Sequence, residues 1–255
     1  MKSLLLLCLF ISSLLHAQDL QIAVASNFAS TLRDLVNLFE LNSSYEVGIS
    51  PGSTGKLYAQ ILNGAPYDLF FAADSKRPQL LEEQGISLPH RRFTYATGQL
   101  VLWSPDSEVV DTSGAILSKG DFNHLSIANP KLAPYGLAAK EVLQNLSLWD
   151  ELQPKLVRGA NIGQTAQVVH SGAAELGFIA LSQIQIPGQQ IQGSYWRPPQ
   201  ETYTPIHQQA VVLKHTPAAE AFIVFLQSEK AQTLIRAYGY ELPQEETNAL
   251  VSSRP

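Results

Sequence analysis

The stretch YEVGISPGSTGKLYAQILNG (residues 45–64) contains the pattern that decides the fold of this chain. YEVGIS is typical of a short strand, a glycine-rich turn follows, and the apolar spacing of KLYAQILNG predicts a helix. This helix closes at Asn63–Gly64, a common signal for a helix C-terminus. A strand, a tight turn and a helix therefore form the unit to look for in the rest of the chain.

The same unit recurs along the chain. LQIAVAS (residues 20–26) predicts a strand, and the apolar residues of the following FASTLRDLVNLFEL have helical spacing. Further predicted strands are YDLFFAAD, QLVLWS, HLSIANP, KLVRGAN, LGFIAL and HQQAVVLK. The predicted helices between and after them are RPQLLEEQG, GLAAKEVLQNL, GQTAQVVHSG, PAAEAFIVFLQ and EKAQTLIRAYG, the last two in succession. YWRPPQETYTP (residues 195–205) is expected to be an irregular crossover. The alternation predicts an α/β fold with largely parallel sheets, and it leaves open one domain or two of roughly 120 residues each.

The N-terminal sequence MKSLLLLCLFISSLLHA (residues 1–17) predicts a secretory signal peptide, because Lys2 precedes an apolar run that is too short to span a membrane. Cleavage after Ala17 would remove Cys8, the only cysteine, so we expect a mature periplasmic protein without disulfides. It would also remove Lys2, which leaves 16 basic and 22 acidic residues and a net charge of 16 − 22 = −6. This charge argues against a nucleic-acid or anionic-membrane partner.

The GSTGK motif raises the question of nucleotide binding, since a P-loop has the form Gly-x-x-x-x-Gly-Lys-[Ser/Thr]. Counted from Lys56, the first glycine position holds Ser50 and the last position holds Leu57, so the motif is not a P-loop. The turn keeps the parts of an anion site: the hydroxyls of Ser53 and Thr54, and the N–H groups of a helix start. In a simpler alternative, one of these hydroxyls only caps the helix, and Lys56 faces solvent.

Similar turns from a strand to a helix occur at three other places, at Ser26–Asn27, at Tyr135 and at Ile162. In a parallel α/β sheet such turns lie at the carboxyl ends of the strands, where ligands bind. Each turn alone could be an ordinary helix start. Together they indicate a cleft in which four helix N-termini bind an anion without a lysine or arginine.

Six stretches carry a resemblance to a known family: VASNF, GSTGKLYAQILNGAPYDLFFAAD, RRFTYATGQLVLWSP, NPKLAPYGLAAKEVL, ANIGQ and LGFIALSQI. In this order, and over nearly the whole mature chain, the sequence resembles the periplasmic molybdate-binding proteins of bacterial ABC importers. The resemblance implies a type II periplasmic binding protein, with two α/β lobes, crossovers near Gly98–Leu100 and Gln208–Ala210, and a ligand in the cleft. Lobe 1 would comprise residues 18–98 and 209–255, and lobe 2 residues 99–208.

The resemblance also implies the ligand-binding residues. Ser26 and Asn27 fall on the first loop that donates hydroxyl and backbone N–H bonds, and Thr54 falls on the second donor loop, with Ser53 adjacent. Tyr135 and Ile162 fall on positions that donate backbone N–H bonds. Ala180 stands about where some members have a ligand-binding tyrosine, and Asn27 is expected to supply the missing bond.

The chemistry of the loops favours a fully ionised oxyanion. Molybdate and tungstate are tetrahedral dianions whose oxygens only accept hydrogen bonds, whereas phosphate keeps a proton that favours a carboxylate acceptor. None of the four loops holds an acidic contact residue, and Asp74 is expected to cap a helix. Sulfate differs mainly in its smaller size and stays an alternative ligand.

An enzyme is not expected, because the triplet His170-Ser171-Gly172 lacks the Gly-x-Ser-x-Gly elbow of hydrolases. The histidines show no metal-ligand spacing, so molybdenum would be bound only as its oxyanion. We expect no cofactor and a monomer, and the resemblance implies a membrane permease as the partner.

Overall fold

The computed structural model of the protein describes residues 18–243, so the predicted signal peptide lies outside the described residues. Two five-stranded sheets and the helices that flank them form two lobes. The strands are β1 (Leu20–Ala25), β2 (Val47–Gly52), β3 (Leu69–Phe71), β4 (Arg92–Gly98), β5 (Leu100–Ser104), β6 (Leu125–Ala128), β7 (Leu156–Gly159), β8 (Leu176–Ala180), β9 (Ser194–Trp196) and β10 (Ile206–Val212). The α-helices are α1 (Ala29–Glu40), α2 (Thr54–Leu62), α3 (Lys76–Glu83), α4 (Ile116–Lys119), α5 (Pro134–Asn145), α6 (Trp149–Leu152), α7 (Ile162–His170), α8 (Pro217–Leu226) and α9 (Glu229–Ala237). Between residues 18 and 243, none of these helices is long and apolar enough to cross a membrane.

The two sheets repeat one plan. The strand order is β2-β1-β3-β10-β4 in the first sheet and β7-β6-β8-β5-β9 in the second. In each sheet two pairings are parallel and two are antiparallel. Parallel pairing therefore makes up half of each sheet rather than most of it, because the strands next to the lobe crossings, β4, β5, β9 and β10, run against their neighbours.

Two short crossings connect the lobes. The first lies between β4 and β5, where Gly98 ends a strand of the first sheet and Leu100 begins a strand of the second. The return follows β9 and a 3₁₀ turn (Gln200–Thr202), and it reaches the first sheet at Ile206, which pairs with Gly98. The boundary predicted between residues 208 and 209 therefore falls inside β10, all of which belongs to the first sheet. The stretch predicted as irregular also contains most of β9.

Each lobe has its own core, and each core anchors one of the predicted ligand loops. In the first lobe Phe28, directly after Asn27, is fully buried against Tyr95 and Tyr240, with ring centroids 4.7 and 5.3 Å away. In the second lobe the side chain of Tyr135, in the first turn of α5, is 1% exposed. Burial of such rings stabilises the lobes and fixes the backbone of the adjacent loops.

Helix α5 begins unusually close to the end of β6. A Cβ atom at Gly136 would overlap the carbonyl oxygen of Ala128, so only glycine allows this approach. The approach places the N–H groups of the first turn of α5 at the edge of the second sheet.

We predict that Gly136→Ala lowers the free energy of unfolding by about 1–3 kcal/mol, because the added methyl group must push α5 away from β6. Urea denaturation followed by circular dichroism measures the change. Gln144→Ala, at an exposed position of the same helix, is the control and should change stability by less than about 0.5 kcal/mol. Equal denaturation midpoints for the two variants would contradict the tight contact.

Candidate functional site

The four predicted loops meet where the lobes touch. Between the lobes, the N–H of Gly163 donates to Ser26 Oγ (3.1 Å) and the N–H of Gly55 donates to the carbonyl oxygen of Leu132 (2.9 Å). These bonds join the loop after β1 to the start of α7, and the start of α2 to the loop before α5. The structure therefore brings together the turns that the sequence places far apart.

Four buried backbone N–H groups at these turns have no acceptor among the described residues. They belong to Asn27, Thr54, Tyr135 and Ile162, whose exposed fractions are only 1–3%. Each lies in or just before the first turn of a helix, where the intrahelical ladder leaves N–H groups unpaired. Buried donors usually have a partner, so these four are available to an acceptor that enters the cleft.

Three hydroxyl groups add further donors. Ser26 Oγ accepts from Gly163, Ser53 Oγ accepts from the N–H of Lys56 (3.3 Å), and Thr54 Oγ1 accepts from the N–H of Ala73 (3.1 Å). A hydroxyl that already accepts a bond still has its own proton to donate. Ser53 also caps α2, and this capping role is compatible with donation of its hydroxyl proton to a ligand.

The sequence predicts that Asn27 supplies a bond to the ligand, but in the structure its side-chain amide donors are paired within the protein. Its Nδ2 donates to Gln208 Oε1 (2.8 Å) and to the Tyr240 hydroxyl (3.1 Å). Its Oδ1 is buried and has no partner among the described residues. Ala180 offers only its backbone N–H, which donates to the side chain of Gln183.

Sequence reasoning missed three residues that hold the first loop. The hydroxyl of Ser182 donates to the carbonyl oxygen of Asn27 (3.1 Å), and the Tyr240 hydroxyl contacts the same oxygen (2.9 Å) and Ser182 Oγ (2.8 Å). Gln208, the third, is fully buried in β10. Its position in alternation with Ile206 and Ala210, which are also buried, is the one signal that could have singled out Gln208.

The charged groups near the cleft are paired with each other or face solvent. Asp74 accepts from the backbone N–H of Arg77 (3.0 Å), as expected for a helix cap, and also forms an ion pair with the Arg77 guanidinium. Arg77 is only 20% exposed and donates across the cleft to the carbonyl oxygen of Lys131 (3.2 Å). Lys56 is exposed.

Neutral groups dominate the interior behind the loops. Burial raises the pKa of the Tyr95, Tyr135 and Tyr240 hydroxyls, which therefore stay protonated near neutral pH. Within residues 18–243 there is no group of three or more His, Cys, Asp or Glu side chains that could hold a metal cation. The site is thus a set of hydrogen-bond donors without a fixed counter-charge, an arrangement suited to an acceptor-only anion.

Comparison with known proteins supports this description. Residues 20–241 match the family model described as bacterial extracellular solute-binding protein. The sequence is 48% identical to the molybdate-binding protein ModA of Azotobacter vinelandii over 89% of this chain and 91% of that protein, and 44% identical to ModA of Rhodobacter capsulatus over 86% of each. The solved periplasmic molybdate-binding protein of Azotobacter vinelandii superimposes with a TM-score of 0.85 at 45% identity, over 88% of this chain and all of that one. The resemblance drawn from the sequence and the predicted two-lobed fold are confirmed.

We predict that Ser26→Ala and Thr54→Ala each weaken the binding of molybdate about tenfold or more, since each removes a hydrogen bond to a charged group. Isothermal titration calorimetry measures the loss. Ser30→Ala removes an exposed hydroxyl from the same part of α1 and serves as the control. Wild-type affinity in both Ser26→Ala and Thr54→Ala would refute the site.

We also predict that Arg77→Gln speeds the release of the bound anion roughly three- to tenfold, because it removes a bond that joins the lobes. Lys76→Gln removes the same charge from an exposed neighbour and should leave the release rate near that of the wild type. Stopped-flow fluorescence after dilution or competition gives both rates. Equal release rates in the two variants would show that charge alone, and not the contact across the cleft, matters.

Proposed function

We infer the function from one premise: this chain belongs to the bacterial extracellular solute-binding protein family, whose matched region spans both lobes. We propose that it captures molybdate or tungstate outside the cytoplasm and delivers the anion to the permease of an ABC importer. Ser26, Asn27, Ser53 and Thr54 from the first lobe, with Tyr135 and Ile162 from the second, would hold the anion. Molybdenum is here the cargo, bound through its oxygens.

The observation that carries the proposal is the set of unpaired, buried donors at the starts of four helices. A fully ionised tetrahedral dianion offers only acceptor oxygens, so backbone N–H groups and hydroxyls match it. Several charge-assisted bonds of about 1.5–3 kcal/mol each would offset the cost of taking the dianion out of water. The positive ends of the helix dipoles add to this attraction.

The same donor set disfavours phosphate. Phosphate keeps a proton near neutral pH, and that proton needs an acceptor in the site. Asp74, the acidic residue after β3, is already bonded to the guanidinium and the backbone of Arg77. A protonated oxygen would therefore be left without a partner, at a cost comparable to an unmade buried hydrogen bond.

Sulfate has the same protonation state as molybdate, so size must separate the two. The lobes are linked by direct bonds such as those between Gly163 and Ser26 and between Gly55 and Leu132, which fix the distance between the two donor sets. A smaller anion would leave some donors out of reach in such a closed site. The two relatives named for molybdate binding support the larger anion as the ligand.

Binding rather than catalysis follows from the surroundings of the candidate nucleophiles. Ser26 Oγ contacts a backbone N–H and not a general base. His170 packs on the Trp103 ring with centroids 4.6 Å apart, and the Ser171 hydroxyl donates to the carbonyl oxygen of Val168. These contacts are structural and support a role in transport rather than in catalysis. We also propose that the protein is a monomer without a cofactor and that the sequence of residues 1–17 directs its export.

Calorimetry with molybdate, tungstate, sulfate and phosphate tests the proposal directly. Molybdate and tungstate should bind tightly and with similar affinity, whereas sulfate and phosphate should bind at least about a hundredfold more weakly, a difference of about 2.7 kcal/mol. Tight binding of sulfate without a molybdate signal would overturn the assignment.

A further inference from the structure

Gln208 occupies the point where the two lobes and their crossings meet. Its Oε1 accepts from Asn27 Nδ2 (2.8 Å) and from the Tyr95 hydroxyl (3.0 Å), and its Nε2 donates to the Tyr135 hydroxyl (3.3 Å). A Cβ atom at Gly98 would overlap this Tyr135 hydroxyl, so the first crossing needs glycine to leave room for the contact. Through one side chain, Gln208 thus connects a donor loop of the first lobe with a donor helix of the second.

The hydrogen bonds of this cluster leave two groups unused. Asn27 Oδ1 is a buried acceptor with no partner among the described residues. Gln208 is fully buried, and its amide makes only one donor bond although it has two N–H groups. A buried acceptor and a buried donor that both lack a partner are an unfavourable arrangement.

If the side-chain amides of Asn27 and Gln208 are both rotated by 180°, every polar group of the Gln208 side chain has a hydrogen-bond partner. Its nitrogen then donates to Asn27 Oδ1 and to the Tyr95 hydroxyl, at the separations of 2.8 and 3.0 Å, while the Tyr95 hydroxyl donates to the carbonyl oxygen of Ala72 (3.1 Å). Its oxygen accepts from the Tyr135 hydroxyl at 3.3 Å. No heavy atom outside the two amides has to move, and only hydroxyl protons turn.

Tyr240 and Ser182 fit the rotated arrangement as well. The Tyr240 hydroxyl can accept from the Ser182 hydroxyl over 2.8 Å and donate to the carbonyl oxygen of Asn27 over 2.9 Å, so this oxygen keeps a donor. Among the side-chain groups of this cluster, the ones left without a protein partner are then the two N–H groups of Asn27. They take the place of the unpaired oxygen, on the residue whose backbone N–H is also unpaired.

We propose that Gln208 is a positioning residue that sets the orientation of the Asn27 amide, so that Asn27 turns its NH₂ group, and not its oxygen, towards the bound oxyanion. The inference rests on the proposed function, since an acceptor-only dianion attracts an amide N–H and repels an amide oxygen. It assigns to Gln208, in β10 just after the return crossing, a role in ligand binding, although Gln208 acts on the ligand only through Asn27.

A double-mutant cycle separates this role from a purely structural one. Gln208→Met keeps the approximate volume of the side chain and removes its amide, and Asn27→Ala removes the group through which Gln208 is proposed to act. Calorimetry with molybdate should show about a tenfold loss of affinity for Gln208→Met in the wild-type background. In the Asn27→Ala background the same substitution should cause almost no further loss.

An equal loss in both backgrounds, or no loss in either, would overturn the inference. The titration of wild-type protein keeps the two proposals apart, because absence of molybdate binding there would refute the function whatever the variants do. If the wild type binds molybdate, the role of Gln208 is judged from the affinity loss that Gln208→Met causes in the wild-type background, compared with the loss it causes in the Asn27→Ala background. Urea denaturation of each variant checks that the loss of affinity does not come from unfolding.

Neutron diffraction from crystals of deuterated wild-type protein with molybdate gives a second answer that needs no variant. The expected nuclear density shows the deuterons of the Gln208 amide directed at Asn27 Oδ1 and the Tyr95 hydroxyl, and those of the Asn27 amide directed at the anion. Deuterons of Asn27 directed at Gln208 Oε1 in the loaded protein would contradict the proposal.

Discussion

The desolvation of a doubly charged tetrahedral anion is the physical constraint on which the architecture depends. A buried lysine or arginine could neutralise part of the charge, but it would itself have to be taken out of water and would repel a second cation in the empty cleft. Backbone N–H groups at helix starts avoid both problems, since they are unpaired by the geometry of the helix and carry no net charge. The proposed site gathers four of them, and three hydroxyls complete the set.

This constraint explains why the chain forms two lobes with the same plan. A helix start presents few donors from one direction, whereas a tetrahedral anion needs donors on opposite sides. Each sheet supplies two strand-to-helix turns, and the crossings at Gly98 and Ile206 bring the two pairs face to face. Bonds between the lobes, such as those of Gly163 to Ser26 and of Arg77 to Lys131, then hold the facing turns together. The turns that are proposed to bind the anion therefore also hold the two lobes together.

The candidate site could be proposed from the sequence because it is local in sequence. A strand end, one or two small or hydroxyl-bearing residues and a helix start lie within a few positions, so turn chemistry and the resemblance point to Ser26, Thr54 and their counterparts as candidates. The half-parallel character of the sheets was not predictable in this way, because it depends on which strands the chain crosses between the lobes. The end of the return crossing is not encoded locally either, since HQQAVVLK predicts a strand that could belong to either lobe.

The support of the site is not local and escaped the sequence analysis. Gln208 and Tyr240 are 181 and 213 residues away from Asn27 along the chain, yet both contact it. Ser182 follows the strand on which a tyrosine was sought, and its hydroxyl reaches Asn27 from the other lobe. Likewise the bond of Arg77 to Lys131 across the cleft appears only once the lobes are packed together. Such contacts depend on how the lobes pack, which a pattern of residue types does not encode.

The most direct test of the central claim is a crystal structure of the protein with molybdate, in which the anomalous scattering of molybdenum locates the anion. We predict one strong anomalous peak between the lobes. The oxygens of the anion should be bonded to the hydroxyls of Ser26 and Thr54 and to the backbone N–H groups of Asn27, Tyr135 and Ile162. No side chain of lysine, arginine, aspartate or glutamate should contact the anion. A peak outside the cleft, or an anion held by the Arg77 guanidinium, would contradict the claim that neutral donors alone bind the dianion.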